Sequence, residues 1–183
     1  MRIDMTYFPM FVSIEGKQCL VVGGGAVAAR KCRGLLTFGA EVTVISDRFM
    51  ESKSLHNMNP IKKEGLHNEC LKKESSLHKI ERCFEDSDIV LKDWALVVAA
   101  TDDRFVNARV AALCHERQIP VNVADCKEDC TFFFPAYCAK EPVAVGVTTS
   151  GTSPRLAAAL RRRIEAALPG WIGEIRKEID KNA

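Results

Sequence analysis

The stretch that most constrains this chain is Leu20-Val21-Val22-Gly23-Gly24-Gly25-Ala26-Val27-Ala28-Ala29-Arg30-Lys31. It reads as a buried strand, a glycine turn and the opening of a helix. Gly23, Gly25 and Ala28 fall in the spacing G-x-G-x-x-[GA], the dinucleotide-binding fingerprint. One glycine permits a tight turn at positive φ. A second removes the Cβ that would hold a pyrophosphate off the backbone. A small third residue lets helix and strand approach. The free N–H groups and the dipole of the helix then favour an anion at the turn. A glycine motif alone is weak, so its flanks decide whether it counts.

The flanks supply the context. Lys17 to Val22 is an apolar strand, and Ala26 to Phe38 a helix with Val27, Leu35 and Phe38 among its apolar positions. Gly39 stops the helix, and Glu41 to Ser46 is a second strand. That is β-α-β within about thirty residues. Asp47 lies 22 residues after Gly25, where an acid at the end of the second strand bonds ribose hydroxyls and selects NAD. Arg48 follows and is suited instead to a 2′-phosphate; an ordinary turn or cap aspartate is the plain alternative for Asp47. NAD is the favoured reading.

Further along, 51–77 is polar and aperiodic, and reads as a surface helix and loops with His56 and His67 solvated. A third strand is expected at His78–Phe84 and a short helix at Glu85–Leu91. Trp94 to Ala100 is a continuous apolar run, as in a strand buried on both faces. It ends in Thr101-Asp102-Asp103. Ligands of open α/β sheets sit beyond the carboxyl ends of strands, so Thr101 and Asp102 should adjoin the glycine turn. The alternative is capping of the helix expected over Asp103–Arg117, whose apolar face is Val106, Val110, Leu113 and Cys114. Asn107, one turn in, reaches back toward the site. Pro120 to Asp125 is the next strand and its end. Asp125 faces the same crevice in an apolar neighbourhood, where desolvation raises a carboxylate's pKa and suits it to move protons; a capping aspartate is again the alternative.

After Asp125 the pattern changes. Thr131–Ala136 and Pro142–Thr149 are β-rich and too close for a crossover helix, so they pair antiparallel. A two-stranded ribbon cannot bury its faces alone and needs a partner such as a second subunit. Pro9–Ile14 is a short apolar lead-in. A hydroxyl-rich turn at Ser150–Pro154 opens a helix to Leu168 with Leu156, Ala159, Leu160 and Ile164 on one face. Arg155, Arg161, Arg162 and Arg163 line the rest, either as a solvated face or as a cradle for a polyanion. Pro169-Gly170 should break it before a final helix over Trp171–Lys181.

Composition excludes several classes. Of 183 residues, 47% are hydrophobic, enough for one core domain plus an appendage. A net charge of +2 argues for no nucleic-acid partner. No apolar run approaches the ~18 residues of a membrane span, and no signal peptide is visible, so a cytoplasmic protein without a membrane partner is expected. The eight cysteines are then read as reduced thiols. Cys126, Cys130 and Cys138 are close in sequence, but no second pair and no nearby His completes a zinc pattern, so no metal site is expected.

Taken in order, these motifs resemble the precorrin-2 dehydrogenase/sirohydrochlorin ferrochelatase module of siroheme synthesis, found alone or at the N-terminus of siroheme synthase. The resemblance is carried by Phe8-Pro9-Met10-Phe11, by Val21 to Lys31, by Ala99 to Asp103 with Asn107, and by Asn122-Val123-Ala124-Asp125. Phe134-Pro135-Ala136 and Thr148 to Pro154 with Leu156-Ala157 complete it. It implies an α/β fold: a Rossmann-like parallel sheet at 1–125, a small β-ribbon dimerisation segment at 126–150 and a C-terminal helical segment at 151–183, shorter than in longer members. It implies NAD-dependent oxidation of precorrin-2 to sirohydrochlorin, with Fe²⁺ insertion following in some members. By the same resemblance Asp125 is the general base. Gly23, Gly25, Ala26, Val27, Asp47, Arg48, Thr101 and Asp102 would contact NAD. Arg30, Lys31, Asn107, Thr149, Ser150 and Arg155 would contact the carboxylate-rich substrate. The implied assembly is a homodimer joined through about 130–149. A non-catalytic NAD-binding redox sensor or regulatory module is the competing reading.

Overall fold

A strand buried on both faces has no polar side to alternate with, and the run Trp94 to Ala100 reads as such a strand. The computed structural model describes residues 7–49 and 76–182. In it β1 (Gln18–Val22), β2 (Glu41–Ser46) and β4 (Leu96–Ala99) are buried along almost their whole length. With β3 (Leu77–Glu81) and β5 (Val121–Val123) they form one parallel sheet in the order β3-β2-β1-β4-β5. The register sets Val21 between Val44 and Val98. Helix α1 (Ala26–Thr37) packs on β1 and β2, α2 (Ser87–Val90) precedes β4, and α3 (Arg104–Glu116) packs on β4 and β5. From β1 the chain steps to β2 and β3 on one side, then returns through α2 to β4 on the other. The switch point between β1 and β4 is where such sheets open a crevice. The fold is Rossmann-like, as expected.

The core explains the details. Leu20, Val22, Ile45, Val97, Ala99, Val110, Leu113, Val121 and Val123 share one buried cluster. Trp94 closes it before β4 begins, its indole N–H donating to Asp88 O at 2.7 Å. The inward stripe of α1 is Ala28, Ala29, Cys32, Leu35 and Leu36. Val27 and Phe38, expected on that stripe, are 39% and 40% exposed. A helix leaving a glycine turn starts close against the sheet, so its first inward positions are the small Ala28 and Ala29 while Val27 faces out; Phe38 is the C-cap, past the last helical residue. The expected polar segment with His56 and His67 lies outside the described residues.

The described residues fall into two compact units, 12–49 with 76–133, and 7–11 with 134–182. In the second unit β6 (Ala136–Lys140) pairs antiparallel with β7 (Val143–Val147), from Ala136↔Val147 to Lys140↔Val143. The first ribbon strand starts later than Thr131 for a specific reason. Thr131 N donates to Val121 O at 2.9 Å, Val121 N to Thr131 Oγ1 at 2.8 Å, and Asn122 Nδ2 to Phe132 O at 3.0 Å. These bonds keep 131–132 beside β5.

Helix α4 (Pro154–Asn182) packs against both ribbon strands. It runs unbroken through Pro169, which corrects the expected break at Pro169-Gly170. Pro removes one N–H and crowds the carbonyl four residues back, a cost of about 3 kcal/mol in a helix interior. Leu160 to Leu168 before it and Glu174 to Lys181 beyond it favour helix, and these two runs carry the backbone across Pro169, Gly170 and Gly173. The buried positions of α4 are Ala157 and Leu168, while Leu156 and Leu160 are 51% and 41% exposed.

Candidate functional site

Three strand-end turns adjoin because the parallel ladder continues past the strands. Gly23 N donates to Ile45 O at 2.8 Å, Ala100 N to Val22 O at 2.8 Å, and Ala124 N to Ala99 O at 2.9 Å. Gly23 has φ +121°, and a Cβ there would lie 2.3 Å from Ala100 O. Gly24, which the spacing rule treats as a free position, is equally constrained: its Cβ would lie 2.1 Å from Arg48 O and 2.7 Å from Ser46 Oγ. Gly25 differs. Its φ is −84°, and a Cβ would meet nothing within 4 Å. Gly23 and Gly24 thus admit neighbouring backbone, and Gly25 leaves open space. The run of three glycines was the one sequence signal for Gly24.

Gly25 is also the N-cap of α1. No side chain caps the helix there, and no acid stands in its first turn. The leading N–H groups at Ala26 and Val27, both exposed, therefore start an uncapped helix of twelve residues. Its positive end suits an anion, and Gly25 clears the approach. Arg30 is exposed one turn on. Lys31 is partly buried, and burial first, then repulsion from Arg30, pushes its ammonium down to about 8, with Cys130 opposing.

The turn after β2 is set by Ser46, whose Oγ donates to Arg48 O at 2.6 Å. It presents Asp47 and Arg48 to solvent with an ion pair of 3.7 Å between them. The turn after β4 is set by Asn107. This side chain is fully buried, its Oδ1 accepting from Thr101 N at 3.1 Å and Thr101 Oγ1 at 2.8 Å. Its Nδ2 donates to Thr101 O at 3.1 Å. Both ends of the amide are engaged with Thr101. Capping of α3 falls to Asp103, whose Oδ1 accepts from Phe105 N at 2.7 Å and Val106 N at 3.4 Å. Asp102 is left exposed beside the turn.

Asp125 lies just past β5 and is solvent-exposed, so the apolar neighbourhood expected for it is absent. Its apolar neighbours in sequence, Val121 and Val123, turn into the core. The loop it opens is pinned downstream. Val123 N donates to Cys130 Sγ at 3.1 Å, and that thiol donates to Val123 O at 3.2 Å. Asp129 holds Arg104 Nη2 at 2.5 Å, and its carbonyl lies 3.1 Å from His115 Nε2. Both helix partners were invisible as loop signals in the sequence. No hydrogen bond or ion pair among the described residues engages the Asp125 carboxylate.

Of the anticipated site residues, Gly23, Gly25, Ala26, Val27, Arg30, Lys31, Asp47, Arg48, Thr101, Asp102, Asn107 and Asp125 belong to the sheet unit. Thr149, Ser150 and Arg155 belong to the second unit. There Thr149 Oγ1 accepts from Ser153 N at 3.1 Å, Thr149 O accepts from Thr152 Oγ1 at 2.6 Å, and Ser150 has φ +53°. Among the described residues no group of three His, Cys, Asp or Glu side chains is placed to hold a metal, and no helix is long and apolar enough to cross a membrane.

Comparison with known proteins bears on this geometry. A family model described as "Putative NAD(P)-binding" matches residues 10–136. A second, described as "Sirohaem biosynthesis protein central", matches 141–167. The chain belongs to the first of these families, the one described as putative NAD(P)-binding. Siroheme synthase of Thioalkalivibrio sulfidiphilus is 39% identical over 171 residues, covering 93% of this chain and 32% of that protein. Siroheme synthase of Methylococcus capsulatus is 40% identical over 173 residues, covering 94% and 33%. The chain thus spans about a third of the length of these relatives. A solved structure of SirC, precorrin-2 dehydrogenase, has a TM-score of 0.62 at 23% identity, covering 87% of this chain and 70% of that one. This likeness shows the fold, and the family assignment brings a nicotinamide cofactor with it.

Proposed function

We propose that this chain oxidises precorrin-2 to sirohydrochlorin with NAD as hydride acceptor. The observation that carries the proposal is the presence of two features on the same carboxyl edge of the sheet: an uncapped helix start with open space at Gly25 after β1, and the unengaged carboxylate of Asp125 after β5, with β4 between them. The cradle fits a dinucleotide, because of the turn's three glycines the one with room for a Cβ is the one at the helix N-cap. Gly25, Ala26 and Val27 would hold its pyrophosphate, Asp47 its ribose hydroxyls, and Thr101 and Asp102 its nicotinamide end. When bound, the cofactor supplies the hydride acceptor.

The chain supplies position and one base. Asp125 takes the proton lost alongside hydride; its exposure keeps it open to a substrate rather than to a protein donor. Arg30 and Lys31 from α1 offer cations to the substrate carboxylates. Asn107 acts through Thr101, whose backbone it fixes on both sides. Fe²⁺ insertion into the product would be a second activity at the same carboxylate. The family's siroheme synthases, this chain's register of motifs and the sheet geometry support the reading together.

The test is anaerobic incubation with precorrin-2 and either nicotinamide cofactor. Reduced cofactor and sirohydrochlorin absorbance should rise together with NAD⁺, and more slowly with NADP⁺. Absence of turnover with both sinks the proposal; faster turnover with NADP⁺ reassigns the adenosine end from Asp47 to Arg48.

Homodimerisation is part of the same proposal. The second unit buries few apolar side chains, among them Cys138, Ala157 and Leu168, while Leu156, Leu160, Trp171 and Ile175 recur at helical spacing on an exposed stripe of α4. A ribbon and one helix do not make a core alone. Sedimentation should give twice the chain mass, and Trp171→Arg with Ile175→Arg should return monomer. A monomeric unsubstituted chain at micromolar concentration refutes this part.

A further inference from the structure

Arg104 opens α3 beside two carboxylates. Its Nη2 lies 2.5 Å from Asp129 Oδ2, and the guanidinium is about half exposed. Its protonated form is favoured first by the Asp129 hydrogen bond, against some desolvation, and then through space by Asp129, Cys126 and Asp125. Asp129 in turn is held below the usual carboxylate range, chiefly by Arg104, with Cys126 and His115 adding to the effect. Asp125 thus lies within electrostatic reach of a guanidinium that it does not bond.

Ion pairs this exposed contribute little to stability. Their placement still decides which carboxylate is free. A guanidinium paired to a carboxylate favours its charged form and blunts it as a proton acceptor. The other ionisable groups around the pair are Cys126, Lys127, Glu128 and Cys130 on the loop, His115 on α3, and, through Cys130, Lys31 on α1. Glu128 is engaged by the Cys126 thiol at 3.4 Å, and His115 by the carbonyl of Asp129 at 3.1 Å. Arg104 is the cation that α3 places within reach of both Asp125 and Asp129.

Resting on the assignment of Asp125 as the base, we infer that Asp129 is a positioning residue that occupies Arg104 and so keeps the Asp125 carboxylate open to substrate. Removing the Asp129 charge lets Arg104 swing to the carboxylate four residues earlier in the same loop. A base carrying a guanidinium accepts a proton less readily and offers fewer free lone pairs to a substrate.

The experiment uses the whole chain with Asp129→Asn, Asp129→Glu and the double variant Asp129→Asn with Arg104→Ala. Asn keeps the shape, and circular dichroism confirms the fold. Asp129→Asn should lower kcat about tenfold at neutral pH, with the KM for NAD⁺ unchanged and the acid limb of the pH–rate profile moved about one unit lower. The double variant should recover most of the loss, and Asp129→Glu, which can still hold Arg104, should stay near the unsubstituted rate. A merely structural Asp129 predicts instead that the double variant is no faster than the single one, and that result overturns the inference. A second readout needs no turnover: the ¹³C resonance of the Asp125 carboxyl should titrate at lower pH in Asp129→Asn and return in the double variant. An identical titration in all forms overturns the inference whatever the rates. A titration that moves in a chain inactive on precorrin-2 supports the exchange of Arg104 and refutes only the dehydrogenase reading.

Discussion

Asp125→Asn should lose about 10²- to 10⁴-fold in turnover of precorrin-2, the usual contribution of a positioned general base, while the fold and the affinity for NAD⁺ stay as they are. The separation follows from where the residue sits. Its side chain is exposed just past β5, and its carboxylate bonds no other described residue. An exposed substitution away from caps and buried networks changes stability by less than about 0.5 kcal/mol. The loop keeps its shape without it, because Cys130, Asp129 and Thr131 hold the later residues to Val123, α3 and Val121. Asparagine preserves shape and hydrogen-bonding length but cannot take a proton near neutral pH. The measurement is the single-turnover rate under saturating NAD⁺, beside a thermal melt and a cofactor titration. A rate within about threefold of the unsubstituted chain would show that another group moves the proton, and would leave Asp125 as an ordinary turn residue.

The parts of this molecule that were legible in the sequence are those governed by local pattern. β1 and β4 announce themselves as apolar runs, β2 as a β-branched segment after the helix stop at Gly39, and Gly23 and Gly25 mark the turn between β1 and α1. The illegible parts are those in which a distant element decides. Val27 and Phe38 look like the apolar face of α1, but closeness to the sheet selects Ala28, Ala29 and Cys32 instead. Thr131 and Phe132 have strand propensity, yet bonds to Val121 and Asn122 withhold them from the ribbon. Pro169 obeys the local rule for a helix stop, and the turns on either side override it. The sequence neighbours of Asp125 are apolar and predict an apolar setting; alternation and the end of β5 put those neighbours in the core and the carboxylate outside. Asp129 carried no signal at all, since its partners Arg104 and His115 stand three helical turns apart on α3 and meet it only in the fold.

Gly24 gives the sharpest test of how the glycine turn works. Gly24→Ala puts a Cβ 2.1 Å from Arg48 O and 2.7 Å from Ser46 Oγ. Neither neighbour yields easily: the first is backbone, and the second is fixed by its own bond to that same carbonyl. The turn must open, at a cost typical of overpacking, about 1–3 kcal/mol, which lowers Tm by roughly 2–12 °C for a chain of this size. The displaced segment carries Asp47 and Arg48, so NAD⁺ affinity should fall as well. Gly25→Ala is the contrasting substitution. Its φ of −84° suits any residue and its Cβ meets nothing within 4 Å, so Tm should hold or rise slightly as the unfolded chain loses freedom. Yet the methyl occupies the space through which a pyrophosphate would reach the first N–H groups of α1, and NAD⁺ binding should weaken on the order of tenfold to a hundredfold. Melting curves and calorimetric titration of the two variants therefore give opposite pairs: unstable and weak for Gly24→Ala, stable and weak for Gly25→Ala. If Gly25→Ala binds NAD⁺ as tightly as the unsubstituted chain, the dinucleotide does not lie on this turn, and the placement of the whole site around it fails.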